Sequence, residues 1–285
     1  MVIKKVAVVG AGVMGSGIAQ VSAAAGYDVI IIGKDRSLTR AIGNIENNLI
    51  KKVNQGLLKE QEKTDILSRI MMSTDINSAK ECQLVIESIP EVLELKVKIF
   101  RRLESTCPAE TIFASNTSTL PVSLLAAAIK RKDKVVVTHF MNPVPLMKGV
   151  EVIASVGTSP DTLNSIKRYI RKIGKEPCEA RDRAGFIVSR LVCTLMNEAV
   201  RCVMDGNKPE EVDKAMRLCC NFPVGPIELC DLIGSDVVTQ CLEAMEKELG
   251  GRVAPCPLLR SQVHSGRLGR KTGKGFYDYG VSNGK

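Results

Sequence analysis

The stretch Lys4-Lys-Val-Ala-Val-Val-Gly-Ala-Gly-Val-Met-Gly15 decides the fold of this chain. Its apolar residues up to Val9 predict a buried strand, and the segment from Ile18 to Ala25 has the spacing of a helix. A glycine-rich turn between a strand and a helix lets backbone N–H groups approach a pyrophosphate at the positive helix end. A second strand, Asp28–Ile32, follows at the distance that completes a βαβ unit. The stretch therefore predicts dinucleotide binding, with a glycine turn kept only for packing as the alternative.

Apolar strands alternate with amphipathic helices through the first two-thirds of the chain. Further strands are predicted at Gln83–Glu87, Thr111–Ser115, Lys134–Thr138 and Val150–Ala154. From Gly185 the strands vanish, and helices are predicted over residues 186–204, 210–219, 235–249 and 258–266. We predict an α/β protein with a doubly wound, Rossmann-type domain of residues 1–184, then an all-α domain of residues 185–285 that ends in a frayed tail, 281–285.

Composition and charge restrict the class of function. The chain has 285 residues, a net charge of +9 that is not concentrated in one tail, and only 4% aromatic residues, so base stacking on a nucleic acid has little to work with. No apolar run approaches the ~18 residues of a membrane span, and the first residues enter a strand at once, without room for a signal peptide. We expect no nucleic-acid or membrane partner and favour a polyanionic small molecule.

Cysteine usage indicates the compartment. The ten cysteines are scattered, mostly inside apolar helices or strands, and no CxxC pair or histidine cluster offers a metal site. Reduced thiols are typical of the cytoplasm. We therefore expect a cytoplasmic protein without a metal.

His139, one of only two histidines, ends a β-branched run in Val135-Val-Val-Thr-His-Phe-Met-Asn-Pro-Val-Pro145. This pattern predicts a buried strand that stops at a Pro-rich turn, which places the imidazole at the rim of the sheet, where α/β proteins bind ligands. An unperturbed pKa of roughly 6.5 suits histidine to proton transfer near neutral pH. His139 is therefore a candidate catalyst, and a rim histidine without chemistry is the alternative.

Four motifs occur in one register from residue 3 to about 280. They are Gly10-Ala-Gly-Val-Met-Gly-Ser-Gly-Ile-Ala-Gln20, Ser115-Asn-Thr-Ser-Thr-Leu120, His139-Phe-Met-Asn-Pro-Val-Pro-Leu-Met-Lys148 with Val150-Glu151, and Gly269-Arg-Lys-Thr-Gly-Lys-Gly-Phe-Tyr277. Together they resemble the 3-hydroxyacyl-CoA dehydrogenases, closest to the bacterial short-chain 3-hydroxybutyryl-CoA type. The resemblance implies NAD(P)-dependent, reversible oxidation of an L-3-hydroxyacyl-CoA to the 3-ketoacyl-CoA, by a homodimer built mainly on the C-terminal helices.

The resemblance also implies four catalytic residues. His139 resembles the general base that takes the 3-hydroxyl proton, and Glu151 the carboxylate that orients and charges the imidazole. The alternative for Glu151 is an ordinary strand glutamate that faces solvent. Ser118 resembles the hydroxyl that holds the 3-oxygen of the substrate, and Asn142 the amide next to the nicotinamide.

Binding residues follow from the same matches. The cofactor-binding set comprises the glycine turn, residues near the ribose and nicotinamide, and an asparagine that also suits a helix cap: Gly10, Gly12, Val13, Met14, Gly15, Glu91, Lys96 and Asn116. Lys51 lies in a charged stretch, Lys51–Lys63, that predicts a helical pair joined at Gly56. Composition alone favours a solvated hairpin there over a substrate clamp. Lys51 matches a lysine that meets the CoA phosphates, which reverses that preference.

Gly33 departs from the family pattern. It stands where relatives carry the acidic residue that accepts hydrogen bonds from the ribose 2′-hydroxyl, and Lys34-Asp-Arg36 follows. Loss of the carboxylate removes repulsion toward a 2′-phosphate, and the cations Lys34 and Arg36 could bind one. We therefore favour NADP(H). NAD(H) is the alternative, because Asp35 could return a carboxylate to the ribose.

Ser189 is a second departure. It stands in Ala184-Gly-Phe-Ile-Val-Ser-Arg190, where the family reads Pro-Gly-Phe-Ile-Val-Asn-Arg, and it replaces an asparagine that helps to hold the thioester or the reacting oxygen. The shorter serine reaches this substrate position through water or not at all. Ser189 and Ala184 leave open a catalytically weak nucleotide-binding relative, against which the intact Ser118, His139, Glu151 and Asn142 speak. A separate alternative is a dehydrogenase of a small hydroxy acid without CoA, against which Lys51 and the basic charge speak.

Overall fold

The computed structural model describes residues 2–280 and divides into two compact units, Met1–Asp182 and Arg183–Lys285. The sequence placed the boundary after Ala184. The predicted frayed tail, residues 281–285, lies outside the described residues. Within residues 2–280, no helix is both long enough and apolar enough to cross a bilayer.

The first unit contains one eight-stranded sheet. Its strands are β1 (Lys5–Val9), β2 (Asp28–Ile32), β3 (Ile70–Ser73), β4 (Leu84–Glu87), β5 (Ile112–Ser115), β6 (Val135–Phe140), β7 (Gly149–Ala154) and β8 (Glu176–Ala180). They lie in the order β3-β2-β1-β4-β5-β6-β7-β8, and every neighbouring pair is parallel except β6 and β7. The predicted doubly wound sheet is confirmed, and its strand order reverses between β1 and β4, the place where such sheets bind ligands.

Six helices connect these strands. They are α1 (Val13–Ala24), α2 (Asp35–Asn54), α3 (Glu60–Ser68), α4 (Leu93–Thr106), α5 (Val122–Ala127) and α6 (Pro160–Lys172). The predicted helical pair around Gly56 is present as α2 and α3. Sheet residues such as Val8, Ile31 and Ile86 are fully buried, because helices cover both faces of a doubly wound sheet. The core of this unit therefore fixes the strand ends that carry the candidate site.

The sequence did not predict β3 and β8, the two edge strands. In β3, Met71 and Met72 are 66% and 48% exposed, so its composition gives no sign of burial. In β8, Pro177 and two glutamates interrupt any alternation of apolar residues. Short, polar and Pro-containing strands are typical of sheet edges. Hydropathy patterns detect buried strands, and these edges therefore escaped detection.

The second unit is all-α, as predicted. Its helices are α7 (Val188–Met204), α8 (Pro209–Cys220), α9 (Pro226–Ile233), α10 (Ser235–Leu249) and α11 (Pro257–His264). They pack around fully buried apolar side chains, namely Met196, Val200, Ile227, Val238, Leu242 and Met245. The sequence missed α9, which has only eight residues and begins at a Gly-Pro pair. A segment this short shows too few turns for its periodicity to be recognised.

The C-terminal glycine-rich motif has a structural role in this unit. The backbone N–H groups of Phe276 and Tyr277 donate to the carboxylate of Asp231, at 3.0 and 2.9 Å. A Cβ atom at Gly275 would lie 2.1 Å from Oδ1 of Asp231, so only glycine permits this approach. The Tyr277 hydroxyl donates to Asp213 at 2.7 Å. The motif thus fastens residues 275–277 to α8 and α9.

Candidate active site

The glycine turn after β1 leaves an open cradle at the start of α1. A Cβ atom at Gly10 would lie 2.3 Å from the Ser88 carbonyl oxygen, and one at Gly15 would lie 1.8 Å from the Gly10 oxygen, so neither position accepts a side chain. At Gly12, the N-cap of α1, a Cβ would meet nothing within 4 Å, and no side chain caps the helix. The first N–H groups of the helix lack internal acceptors and are available to an anion. This geometry fits the pyrophosphate of a dinucleotide.

His139 and Glu151 are direct partners across two antiparallel strands. Residue 139 of β6 is paired with residue 151 of β7, and Nδ1 of the imidazole lies 2.7 Å from Oε2 of the carboxylate. The two residues are 7% and 2% exposed. A solvent-facing Glu151 is therefore wrong, and β6 continues past the predicted strand end to Phe140. The bond at Nδ1 fixes the orientation of the ring.

Asn116 holds the strand that carries the histidine. Its Oδ1 accepts the N–H of Phe140 at 2.9 Å, and its own N–H donates to the Glu87 carbonyl at 2.7 Å. The expectation that Asn116 caps a helix is wrong, because α5 begins only at Val122 and its N-cap is Pro121. A side chain at the end of β5 is better placed to bond the neighbouring strand. Asn116 thus ties together the ends of β4, β5 and β6.

Glu91 organises the loop that carries Ser118. Its Oε1 accepts the N–H groups of Ser118 and Thr119, at 3.0 and 3.1 Å, and the Thr117 hydroxyl. Burial opposes ionisation of Glu91, but the nearby Lys96 ammonium and these hydrogen bonds outweigh it and lower the pKa of the carboxyl. The carboxylate is therefore charged at neutral pH. It holds the Ser118 backbone in place beside the strand ends.

Lys96 lies inside the protein, with 1% of its surface exposed. Its ammonium lies 2.7 Å from Oε1 of Glu87 and 3.3 Å from Oε2 of Glu91. Glu87 also accepts the Ser115 hydroxyl at 2.6 Å and the Ile89 N–H at 2.7 Å. The sequence predicts that Lys96 contacts a cofactor. In the structure, its ammonium instead contacts the carboxylates of Glu87 and Glu91. Sequence reasoning missed Glu87, whose signal was a carboxylate that ends an otherwise apolar strand.

A cleft of about 270 Å³ brings several predicted residues together. It is lined by the first turns of α1, by one face of α2 and by the loop after β6: Val13, Ser16, Gly17, Asn44, Asn47, Asn48, Lys51 and Asn142 to Pro145. Lys51 and Asn142 thus share one cavity with the start of α1. The three asparagines of α2 lie three, four and seven residues from Lys51, which is the spacing of one helix face. These asparagines were not among the predicted site residues, although their spacing is visible in the sequence.

The corner between β2 and α2 is open and basic. A Cβ atom at Gly33 would lie 2.9 Å from the Cβ of Ala11, so a side chain there would displace the glycine turn. Lys34 is the N-cap of α2, and Lys34, Asp35 and Arg36 are all exposed. Among the described residues, neither Lys34 nor Arg36 has a carboxylate within ion-pair distance. Both cations are therefore available to an anionic ligand.

Ser189 lies in the first turn of α7, in the second unit, and is 9% exposed. Ala184, the other departure in this motif, is 2% exposed. Gly185 between them adopts a φ of 74°, and a Cβ there would lie 2.2 Å from the Met245 sulfur. The glycine is therefore required by packing with Met245.

Comparisons with known proteins cover almost the whole chain. The model of the 3-hydroxyacyl-CoA dehydrogenase NAD binding domain matches residues 5–183, and that of the C-terminal domain matches residues 185–279. A probable 3-hydroxybutyryl-CoA dehydrogenase of Bacillus subtilis is 41% identical over 282 residues, which are 98% of each chain. The crystal structure of M. tuberculosis FadB2 has a TM-score of 0.96 and 35% identity, over 98% of this chain and 100% of that one. For (S)-3-hydroxybutyryl-CoA dehydrogenase PaaH1 from Ralstonia eutropha, the TM-score is 0.94 and the identity 36%, with the same coverage. This chain belongs to the 3-hydroxyacyl-CoA dehydrogenase family.

Proposed function

We propose that this protein catalyses the reversible oxidation of a short-chain L-3-hydroxyacyl-CoA, with 3-hydroxybutyryl-CoA as the favoured substrate, to the 3-ketoacyl-CoA. The observation that carries the proposal is the buried His139–Glu151 pair, bonded at 2.7 Å in a sheet whose carboxyl edge also carries the glycine turn. A histidine with an oriented carboxylate is the acid/base that a hydroxyl oxidation requires. The names of the relatives supply the substrate class.

The acid/base step follows from the orientation of the histidine. In the oxidative direction, Nε2 of His139 takes the proton of the 3-hydroxyl. A nicotinamide cofactor held at the glycine turn would accept the hydride that C3 of the substrate loses. The Glu151 carboxylate stabilises the imidazolium that forms, because an opposite charge at hydrogen-bond distance favours the charged ring. In the reductive direction, the same imidazolium donates its proton to the ketone oxygen. The Ser118 hydroxyl and the Asn142 amide orient the 3-oxygen and the cofactor ring.

Lys51 supports a CoA substrate over a free hydroxy acid. It lies in the last turn of α2, in the same cleft as Asn142. A flexible ammonium at the mouth of such a cleft suits a phosphate group, which a small hydroxy acid lacks. Three asparagine amides on the same helix face offer further polar contacts to the linker of the CoA. The first unit thus offers Lys51 and three asparagine amides of α2 to a CoA ester.

The β2–α2 corner supports a preference for NADP(H) over NAD(H). Gly33 offers no carboxylate to the ribose, and a side chain there would collide with Ala11. Lys34 and Arg36 are exposed and can donate to a 2′-phosphate. Asp35, the first residue of α2, is a carboxylate at this corner that NAD(H) could use.

A homodimer is proposed from the second unit, where apolar side chains are exposed on several helices. Leu191, Leu218 and Leu232 are 66%, 76% and 52% exposed. A large contiguous apolar patch is typical of an interaction surface, and we propose that these leucines contribute to one. Sedimentation velocity should give a dimer mass near neutral pH, and a monomer at micromolar concentration would contradict the proposal. The cysteine usage supports a cytoplasmic location.

One assay tests the function and the cofactor together. Acetoacetyl-CoA reduction is measured with NADPH and with NADH side by side, and free acetoacetate serves as the substrate without CoA. We expect turnover of the CoA ester, faster with NADPH at limiting cofactor, and little turnover of the free acid. Equal rates on acetoacetate would favour a small hydroxy-acid dehydrogenase. Negligible rates on every substrate, with intact cofactor binding, would favour a nucleotide-binding protein without useful turnover.

A further inference from the structure

Lys175 is a buried cation that the proposed reaction does not use. It follows α6 after Gly174, whose φ of 75° reverses the chain, and its N–H donates to the Ile170 carbonyl at 3.1 Å. The next residue, Glu176, begins β8 by donating to the Lys148 carbonyl at 2.8 Å. Lys175 is 6% exposed, and the described residues place no carboxylate within ion-pair distance of it. Its charge is therefore buried without a counter-ion.

The ammonium of Lys175 is bonded to one short turn of the chain. Nζ donates to the carbonyl oxygens of Val144 and Met147, each at 2.5 Å. These residues belong to a turn that closes where the N–H groups of Leu146 and Met147 donate to the Pro143 carbonyl, at 2.9 and 3.1 Å. The carbonyl end of a helical turn carries partial negative charge and lacks internal donors. Lys175 supplies those donors.

The turn is part of the wall of the candidate site. It begins directly after Asn142, and its first residues line the cleft that also contains Lys51. On another side, α1 packs against it so closely that a Cβ atom at Gly17 would lie 2.8 Å from the Cβ of Val144. The turn is thus fixed by contact with α1 and by hydrogen bonds to Lys175. No other described side chain donates a hydrogen bond to the Val144 or Met147 carbonyl.

We propose that Lys175 is a positioning residue, which holds the Pro143–Met147 turn and, through it, the Asn142 amide and the wall of the cleft. Burial, and secondarily the neighbouring Lys52, lower the pKa of the Lys175 ammonium. A buried charge without a counter-ion costs stability, and an apolar side chain would fill the space without that cost. The lysine instead contributes two short hydrogen bonds, to the carbonyl oxygens of Val144 and Met147. The catalytic consequence rests on the proposed function, whereas the order of the turn does not.

The test compares Lys175→Met with wild type and with a matched control, Lys172→Met. Lys172 is an exposed cation near the end of α6, and its ammonium lies 4.4 Å from the ring centre of Tyr27, so its loss leaves the bonds to the turn intact. Hydrogen exchange of a peptide that covers residues 141–149 reports on the turn. In Lys175→Met, we expect the Leu146 and Met147 amides to exchange about tenfold faster or more, with α6 unchanged. In the control, both segments should exchange as in wild type.

Kinetics with acetoacetyl-CoA supply the second readout. A shift of about 1 Å in a positioning group costs up to about 10²-fold in rate. We therefore expect kcat/KM of Lys175→Met to fall about tenfold or more, while the cofactor dissociation constant stays within about twofold of wild type. Lys175→Arg keeps a cation with several donors and should regain most of the rate.

Unchanged exchange in Lys175→Met would overturn the proposal, and so would faster exchange with an unchanged kcat/KM, or an arginine variant as slow as the methionine one. A Lys175→Met chain that does not fold, as judged by circular dichroism, would assign Lys175 to the whole unit and overturn a role in one turn. A wild-type protein without dehydrogenase activity would contradict the proposed function alone, because the exchange experiment still tests the turn.

Discussion

The β6–β7 strand pair and the β2–α2 corner place their polar side chains in opposite environments. In the β6–β7 strand pair, His139 and Glu151 are buried and bonded to each other across two strands. At the corner, Lys34 and Arg36 are exposed, and neither has an ion-pair partner among residues 2–280. The first arrangement exists before any ligand binds, whereas the second acquires a partner only from the ligand. We therefore expect the fold to fix the acid/base pair and the exposed residues at the corner to set the cofactor preference.

The physical reason lies in the dielectric environment and in the backbone. A buried pair is stronger than the same pair in water and is poorly screened by salt. The antiparallel register fixes the distance between the Cα atoms of His139 and Glu151, so their contact does not depend on side-chain flexibility. Exposed cations at a helix start retain their rotamer freedom and are screened. Substitutions in the β6–β7 strand pair should therefore affect turnover, and substitutions at the β2–α2 corner should affect the affinity for one cofactor.

The largest expected effect on turnover is in the β6–β7 strand pair. His139→Gln should lower kcat by roughly 10²–10⁴-fold, the usual contribution of general acid–base catalysis, because the amide cannot exchange the proton. Fluorescence titration should give cofactor affinity close to wild type. His264→Gln, which changes the other, exposed histidine, is the matched control and should be fully active. Near-normal turnover in His139→Gln would mean that His139 is not the acid/base of the reaction.

Glu151→Gln should be the next largest, with a loss of roughly 10–10²-fold in kcat. The glutamine can still accept a bond from Nδ1, but it supplies no charge to stabilise the imidazolium. The double variant with His139→Gln should be hardly slower than the histidine variant alone, because the two residues act as one unit. Additive losses in the double-mutant cycle would mean that the 2.7 Å contact is not a catalytic one.

At the corner, Arg36→Ala should weaken NADPH binding by about 1–3 kcal/mol, the range for a lost charge-assisted hydrogen bond, with little change for NADH. Arg40→Ala, one turn further along α2 and also exposed, is the control for the change in net charge. Titration of both cofactors against the three proteins gives the comparison. A wild-type preference for NADH would instead assign the ribose to Asp35, and the corner would then resemble that of NAD-dependent relatives.

The smallest expected effect is at Ser189, a departure in the second unit. If serine is only a shorter replacement, Ser189→Asn should raise kcat/KM for acetoacetyl-CoA by up to about tenfold, since one recovered hydrogen bond contributes about 0.5–1.5 kcal/mol. Ser189→Ala serves as the control for a loss of the hydroxyl. The measurement covers a short series of 3-ketoacyl-CoA chain lengths. A lower rate in Ser189→Asn on every substrate would indicate a site rebuilt around the serine.

The sequence alone identified the elements with the clearest local signals. Hydrophobic patterns in the sequence predict the strand before Gly10, the helix after it and the strand that ends at His139. The family motifs added Glu151, Ser118 and Lys51 as candidates. The edge strands β3 and β8 and the short helix α9 were missed, because polar edges and eight-residue helices carry weak periodicity.

What the tertiary structure decided is which side chains meet. Twelve positions separate His139 from Glu151, yet only the antiparallel pairing of β6 and β7 makes them direct neighbours. The Lys96–Glu87 pair and the bonds from Lys175 to the Val144 and Met147 carbonyls likewise join separate elements, and no local pattern reports them. Local sequence specifies strands and helices through side-chain period and propensity. Contacts between elements depend on the sheet order and register, which arise only when the whole unit packs.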